Sequence, residues 1–427
     1  MSKSLPSRSI SRASSKPLAV AVFGAGGRGV HFGELLAKIP TQTRVAAVAE
    51  PRAAYREAFA KKHGLGEGAV FKDWREFLAR PKSCDAVIVA TMDREHVEPS
   101  VAALDQGYDL LLEKPMAVTI EDCRAIEAAQ RRSKRAVAVC HSLRYHKAFA
   151  TLKNLLDEGR IGKLVSLDQL EAVAFLHQAH SFVRGNWGRE AESTFMLMAK
   201  SCHDVDYICH LVGAPCLRVS SFGSLSYFRP EHAPKGSTER CTDGCAVEET
   251  CPYSAIRHYV NGNREIWPAT AVSPDHSHAA HLEAIRKGPY GRCVWRAGND
   301  VVDHQVVAME FKGGITATFT MTAFTQTGGR KIRLHGTEGE MEFFENRIVV
   351  RPFASGNTEE ILVKEEEGGH GGGDDRVVRA WLRAIREKKA GLILTNAQES
   401  LRSHTVVFAA EKSRREGRTV ELSELRG

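Results

Sequence analysis

In the stretch MAKSCHDVD (198–206) a lysine, Lys200, stands three residues before a histidine, His203. An imidazole changes charge nearest neutral pH, so a positioned histidine can take a proton from a hydroxyl. Two basic side chains on one helical face are costly neighbours unless a site uses them. At about 100° per residue, Phe195, Met198, Cys202, Val205, Ile208, Cys209 and Val212 form one apolar arc. Lys200, His203 and Tyr207 form the opposite stripe, which reads either as a solvated face or as the working face of one continuous helix.

A second set of reactive residues lies at the ends of apolar runs. LAVAVFG (18–24) has the length and continuity of a parallel strand buried on both faces. It runs into GAGGRG (24–29), where Gly24, Gly26 and Gly29 match G-x-G-x-x-G and enclose Gly27 and Arg28, and a helical pattern follows. Such a turn lets the backbone approach a pyrophosphate, whose charge sits at the helix N-terminus. RVAAVAE (44–50) then ends in Glu50, placed to accept from both ribose hydroxyls and to repel a 2′-phosphate. That favours NAD over NADP, a preference moderated by Arg52.

The elements that must position these groups alternate. DAVIVAT (85–91), DLLLEKP (109–115) and AVAVCHS (136–142) are strands separated by helical stretches, the pattern of a doubly wound parallel sheet. Ligands bind beyond the carboxyl ends of such strands, and Thr91, Glu113, Lys114 and His141 fall there. From about residue 143 the pattern changes to period-two strands such as TATFTMTAF (316–324), which suit an antiparallel sheet with one buried face.

The set GAGGRG, Glu50, TMDREH (91–96), EKP (113–115), RY (144–145) and EGRIGKL (158–164) resembles the glucose-fructose oxidoreductase / inositol dehydrogenase family, Gfo/Idh/MocA. LTNAQESLRSHTVVFAAEKSRREGRTVEL (394–422) is similar to the family's closing helix, so the resemblance spans nearly the whole chain from Leu18. It implies an α/β fold: an N-terminal Rossmann doubly wound parallel sheet over 18–142 and a C-terminal α+β domain over 143–427. The latter would hold a large, mostly antiparallel open sheet that packs against another subunit, with the final helix returning toward the Rossmann domain.

The resemblance implies that Gly24, Gly26, Gly27, Arg28, Gly29, Glu50, Thr91, His96, Glu113 and Lys114 hold NAD. It further implies that Lys114 holds a substrate hydroxyl near the nicotinamide while His203 removes its proton. The family usually carries an acid four residues before that histidine; here the position is Ala199. Lys200 is expected in the vacated space, lowering the His203 pKa and binding a second hydroxyl or an anionic substituent. Arg184, Asn186 and Trp187 of FVRGNWGR (182–189), together with Tyr145, are candidates for a carbohydrate pocket.

Composition bounds the rest. The 427 residues carry a net charge of +7 with basic residues spread along the chain, which gives no nucleic-acid footprint, and no apolar run has the length of a bilayer span. Ten cysteines in so long a chain point to reduced thiols and a cytoplasmic setting. Residues 1–17 are basic and Ser/Arg-rich without the apolar core of a secretory signal; they read as a flexible arm, with an organelle-targeting peptide as the alternative. RCTDGCAVEETCP (240–252) spaces Cys241, Cys245 and Cys251 in one segment flanked by His232 and His258; three thiolates plus one histidine would complete a structural zinc site, but C-x₃-C-x₅-C is not a standard C-x₂-C spacing, and free or packed thiols are the alternative. EEEGGHGGGDD (365–375) reads as a flexible loop with a solvent-exposed His370.

The expected function is an NAD-dependent oxidoreductase acting on a secondary hydroxyl of a sugar, polyol or glycoside, in a homo-oligomer, dimer or tetramer. One alternative is an NAD-dependent glycosidase that oxidises, eliminates, hydrates and re-reduces, on an anionic sugar such as a sulfoquinovoside. The other is a non-catalytic NAD-responsive binding protein.

Overall fold

The computed structural model describes residues 16–425, so the arm expected over 1–17 lies, but for Lys16 and Pro17, outside the described residues. Six short apolar runs form a parallel sheet: β1 (Leu18–Phe23), β2 (Thr43–Ala49), β3 (Val70–Phe71), β4 (Ala86–Val89), β5 (Asp109–Leu112) and β6 (Val137–Val139). Their order is β3-β2-β1-β4-β5-β6. The strand order reverses between the parallel neighbours β1 and β4, which leaves a crevice at the carboxyl ends of the strands. Val20, Ala21 and Val22 of β1 and all four residues of β4 are buried, because helices cover both faces. Thr119 caps the helix Ile120–Ser133 by accepting from the Asp122 amide at 3.1 Å.

The second sheet has nine strands: β7 (Leu164–Ala172), β8 (Cys216–Ser224), β9 (His304–Phe311), β10 (Thr316–Thr322), β11 (Gly329–Gly336), β12 (Gly339–Phe344), β13 (Arg347–Pro352), β14 (Glu359–Leu362) and β15 (Val420–Glu421). Their order is β14-β13-β12-β11-β7-β10-β9-β8-β15, antiparallel throughout except where β10 runs parallel to β7. The period-two pattern is realised in β10: Ala317, Phe319 and Met321 are buried while Thr316 and Thr318 face outward.

The helix Ala397–Glu416 ties the two halves together. Thr395 just before it accepts from the Val139 amide of β6 (2.8 Å), Gln130 accepts from the Ala397 amide (3.0 Å), and Ser413 near its end accepts from the Ser221 amide of β8 (2.9 Å). One fold expectation is corrected here. Residues 365–372 are loop and turn, but helix Gly373–Glu387 begins within the segment, and Asp374 is fully buried against Arg28 and Ser142.

Candidate functional site

The stretch that opened the sequence is not one continuous helix. Helical residues run over Met196–Ala199 and resume at Cys202–Val212, with Lys200 (φ −103°) and Ser201 (φ −100°) at the break. The break leaves the Ala199 carbonyl to accept from Lys114 Nζ at 2.7 Å, a bond between the end of β5 and the turn leading into His203. Lys114, not Lys200, is therefore the lysine joined to this turn.

The break also sends Lys200 elsewhere. Its Nζ lies 3.0 Å from Glu171 Oε1 on β7, whose other oxygen is 3.1 Å from Arg330 Nε on β11. Arg330 in turn holds Asp204 at 2.6 Å, and Gln169 donates to the same carboxylate at 2.6 Å. The expectation that Lys200 tunes His203 is corrected: a spacing of three fails to align two residues when the helix breaks between them. Tyr207, assigned to the same stripe, is fully buried and donates to the Phe149 carbonyl at 2.6 Å.

His203 is 4% exposed, and its Nδ1 is buried without a partner. Burial first, then the charge of Lys114, holds its pKa well below the ordinary histidine value. A neutral imidazole beside a lysine that can donate to an alcohol oxygen is an arrangement suited to proton removal. The His203 ring is flanked by those of His141 at 5.8 Å and His370 at 5.6 Å, and His141 meets His404 at 5.3 Å. His404 Nε2 accepts from the Met116 amide (3.0 Å), two residues beyond Lys114, and burial holds its pKa down to about 3.

His370 is exposed, as its sequence context suggested, yet its ring also lies against that of His203. Asp374 holds it there: the carboxylate faces His370 Nδ1 at 3.1 Å and accepts from Arg28 at 2.8 Å and from the Ser142 hydroxyl. Arg28 also pairs with Glu113, whose second oxygen accepts from the Lys114 amide at 2.8 Å. Arg28 and Glu113 therefore lock the glycine turn, the Lys114 backbone and the Gly373–Glu387 helix to one another. Sequence reasoning missed Asp374, His370 and His404 because nothing local distinguishes an Asp inside a glycine-rich loop or a His inside an ordinary helix.

The glycine turn meets the steric demands of a dinucleotide. Gly24 sits at φ +88°, and a Cβ there would lie 2.4 Å from the Ala90 carbonyl oxygen. A Cβ on Gly29 would lie 1.8 Å from the Gly24 oxygen, so helix and turn can approach only as they do with glycine. At Gly27 a Cβ would meet nothing within 4 Å, so this face of the turn is open for a pyrophosphate to approach. Glu50 ends the second strand, accepts from the Ala25 amide at 2.8 Å, and is bound by Arg52 Nε at 2.7 Å. Thr91 and His96 lie in the loop beyond β4; the His96 ring nitrogens face the Pro115 and Thr91 carbonyls at 2.7 and 3.2 Å, bracing that loop against the Lys114 turn. The residues present fit NAD.

The substrate candidates divide. Trp187 Nε1 donates to Asp93 at 2.9 Å, joining its loop to the loop beyond β4, and Asn186 is exposed in the same loop. Tyr145 is corrected: its buried hydroxyl accepts from the Leu394 amide at 2.9 Å and braces the approach to the last helix. Arg184 is corrected as well, because its guanidinium donates to the carbonyls of Arg292 (2.7 Å) and Tyr253 (2.8 Å) and to Cys241 Sγ (3.6 Å). Among the described residues no three His, Cys, Asp or Glu side chains group tightly enough to hold a metal ion, which gives the zinc reading of Cys241, Cys245 and Cys251 no support; all three are free thiols. His258 instead faces the Pro252 carbonyl at 2.7 Å.

Comparison with known proteins agrees with this geometry. The chain is 28% identical over 315 residues to the YteT protein of Bacillus subtilis, covering 70% of this chain and 72% of that protein. It is 31% identical over 226 residues to an inositol 2-dehydrogenase of Streptomyces avermitilis, covering 52% of this chain and 60% of that one. The solved structure of levoglucosan dehydrogenase with NADH and levoglucosan superposes with a TM-score of 0.69 at 18% identity, covering 95% of this chain and 100% of that one. Residues 18–141 match the family described as an oxidoreductase family with an NAD-binding Rossmann fold, and residues 153–422 match its C-terminal alpha/beta domain. With both parts matched in order across nearly all the described residues, the chain belongs to the Gfo/Idh/MocA oxidoreductase family.

Proposed function

We propose that this protein oxidises a secondary hydroxyl of a sugar, polyol or glycoside. The observation that carries the reading is the Lys114–Ala199 bond, which brings an ammonium donor and a buried neutral imidazole to one end of the parallel sheet. The relative named as an inositol 2-dehydrogenase supports a polyhydroxylated substrate. Bound NAD would supply the hydride acceptor.

In this reading Lys114 donates to the substrate oxygen and favours its alkoxide character as the carbon–hydrogen bond breaks. His203 takes the hydroxyl proton, and burial keeps it free of a proton beforehand. Asp374, through Arg28 and His370, keeps the glycine turn and the His203 surroundings in register. Lys200 is paired with Glu171 and is given no step in this reading.

The outer face of the second sheet supports assembly with a second copy of the chain: Phe222 on β8 is 71% exposed opposite Val306 on β9, and Leu362 on β14 is 74% exposed. No helix among the described residues is long and apolar enough to cross a membrane.

The test is a panel of aldoses, inositols and glycosides incubated with NAD, read by nicotinamide reduction, with the native chain and His203→Ala in parallel. Reduction by the native chain and a loss of about 10²–10⁴-fold in the variant are expected. Equal rates in the two would remove His203 from the reaction.

A further inference from the structure

The connection from β8 to β9 runs over residues 225–303, far longer than a turn between neighbouring antiparallel strands requires, and it buries cores of its own around Phe228, Tyr253 and Trp295 and around Tyr259 and Ile285. On it Ile266 and Trp267 stand side by side at 57% and 50% exposure. An isolated exposed apolar side chain is ordinary; the indole of Trp267 is set apart by what holds it.

Two histidines fix that ring. Trp267 meets His177 at 4.8 Å and His180 at 5.3 Å, both close to perpendicular (75° and 78°), and His180 is itself stacked on Tyr290 at 4.6 Å. A ring held by perpendicular contacts and still half exposed keeps apolar area open to a ligand and loses little freedom when the ligand arrives.

The same histidine ties the indole to the site. His177 follows Glu171, the partner of Lys200, on the chain leaving β7; after burial, the charges of Lys200, His180, Lys114 and Arg330 hold its pKa down to about 2. On its other side His177 meets Phe182 at 5.7 Å, Phe182 meets Trp187 at 6.2 Å, and Trp187 donates to Asp93 in the loop beyond β4. An aromatic row thus joins that loop to the 225–303 connection. Exposure rises from His203 (4%) through the Lys200 side chain (17%) to Trp267 (50%), which puts the reacting carbon at the base and the indole at the rim. A pyranose presents an apolar C–H face ringed by hydroxyls: an open indole covers such a face, and the neutral His177 beside it carries one donor and one acceptor for the hydroxyls.

We propose that Trp267 stacks on a second sugar ring, so that the substrate is a disaccharide or longer glycoside whose reacting ring lies at Lys114 and His203. The role of the inner ring rests on the oxidoreductase reading; stacking at the rim is measurable without turnover.

Binding to the full chain saturated with NADH is to be measured by calorimetry for glucose, galactose and mannose and for maltose, cellobiose, lactose and mannobiose, with the native chain, Trp267→Ala and Trp267→Phe. At least one disaccharide should bind about tenfold more tightly than either of its component monosaccharides, the scale of covering about 60 Å² of indole. Trp267→Ala should bring that disaccharide to the affinity of its monosaccharides, and Trp267→Phe should keep most of the advantage. With NAD, Trp267→Ala should raise KM for the disaccharide by more than it lowers kcat. A native chain with no disaccharide advantage, or an advantage that survives Trp267→Ala, overturns the proposal; the first result decides even if the alanine variant fails to fold. A smaller oligomer in Trp267→Ala with unchanged affinities also overturns it, because the ring then belongs to a contact between copies of the chain. Binding that depends on Trp267 without nicotinamide reduction keeps the subsite and removes the oxidoreductase reading, whereas reduction indifferent to Trp267 does the reverse.

Discussion

Lys114 Nζ donates to the carbonyl of Ala199 at 2.7 Å, so the lysine at the end of a Rossmann strand is bonded to the turn that begins the His203 helix. Lys114 is also the leading charge that keeps His203 unprotonated, after burial itself. Lys114→Met should therefore move the acid limb of the pH–rate profile upward as well as lower turnover, since His203 then holds its proton to higher pH. Lys200→Met should leave that limb in place, because Lys200 is paired with Glu171. Rate profiles of the two variants against the native chain check both statements.

Glu171 is 2% exposed and lies between Lys200 and Arg330. Glu171→Gln leaves two cations with Asp204 as the remaining carboxylate of this group, and should cost about 3 kcal/mol of stability, the scale for breaking a buried ionic group. Denaturant unfolding measures it. A loss below about 1 kcal/mol would mean that solvent already screens the group.

Glu50 ends its strand with both carboxylate oxygens directed to Ala25 and Arg52, beside the glycine turn. Glu50→Ala should weaken NAD more than NADP, because it removes the ribose acceptor and frees Arg52 for a 2′-phosphate. Titration with both dinucleotides reads the ratio, and equal losses would contradict the assignment.

Buried neutral histidines make the fold acid-sensitive. His404, with a pKa of about 3 in the fold, stays neutral while the unfolded chain takes up a proton below about 6.5. The unfolded state thus binds more protons, so stability is fully present above about pH 6.5 and falls with pH toward the folded value. At pH 4.5 His404 alone accounts for about 3 kcal/mol of loss. His404→Gln, which can still accept from the Met116 amide, should flatten the dependence of melting temperature on pH between 6.5 and about 4.5.

The cofactor half of the site was legible because its chemistry is local: an apolar run, a glycine turn and an acid or lysine at the strand end occur within a few residues of one another. The substrate half was not. The break at Lys200 and Ser201 is accompanied by contacts to Lys114 and Glu171, which are distant in sequence, and an ideal helical wheel cannot show it. Arg184 resembled a ligand for hydroxyls, yet its partners are carbonyls and a thiol of segments 57 to 108 residues away. His370 and Asp374 looked like loop polarity because only the folded chain carries them to Arg28 and His203.

Hydride transfer itself is tested most directly with a substrate from the panel carrying deuterium on the carbinol carbon. The account predicts one reduced dinucleotide per substrate consumed, deuterium in that dinucleotide, and loss of both signals in Lys114→Met and His203→Ala. Release of an aglycone over many turnovers on a trace of NAD, with no net reduced dinucleotide, would contradict net oxidation and establish the redox-neutral glycosidase route instead.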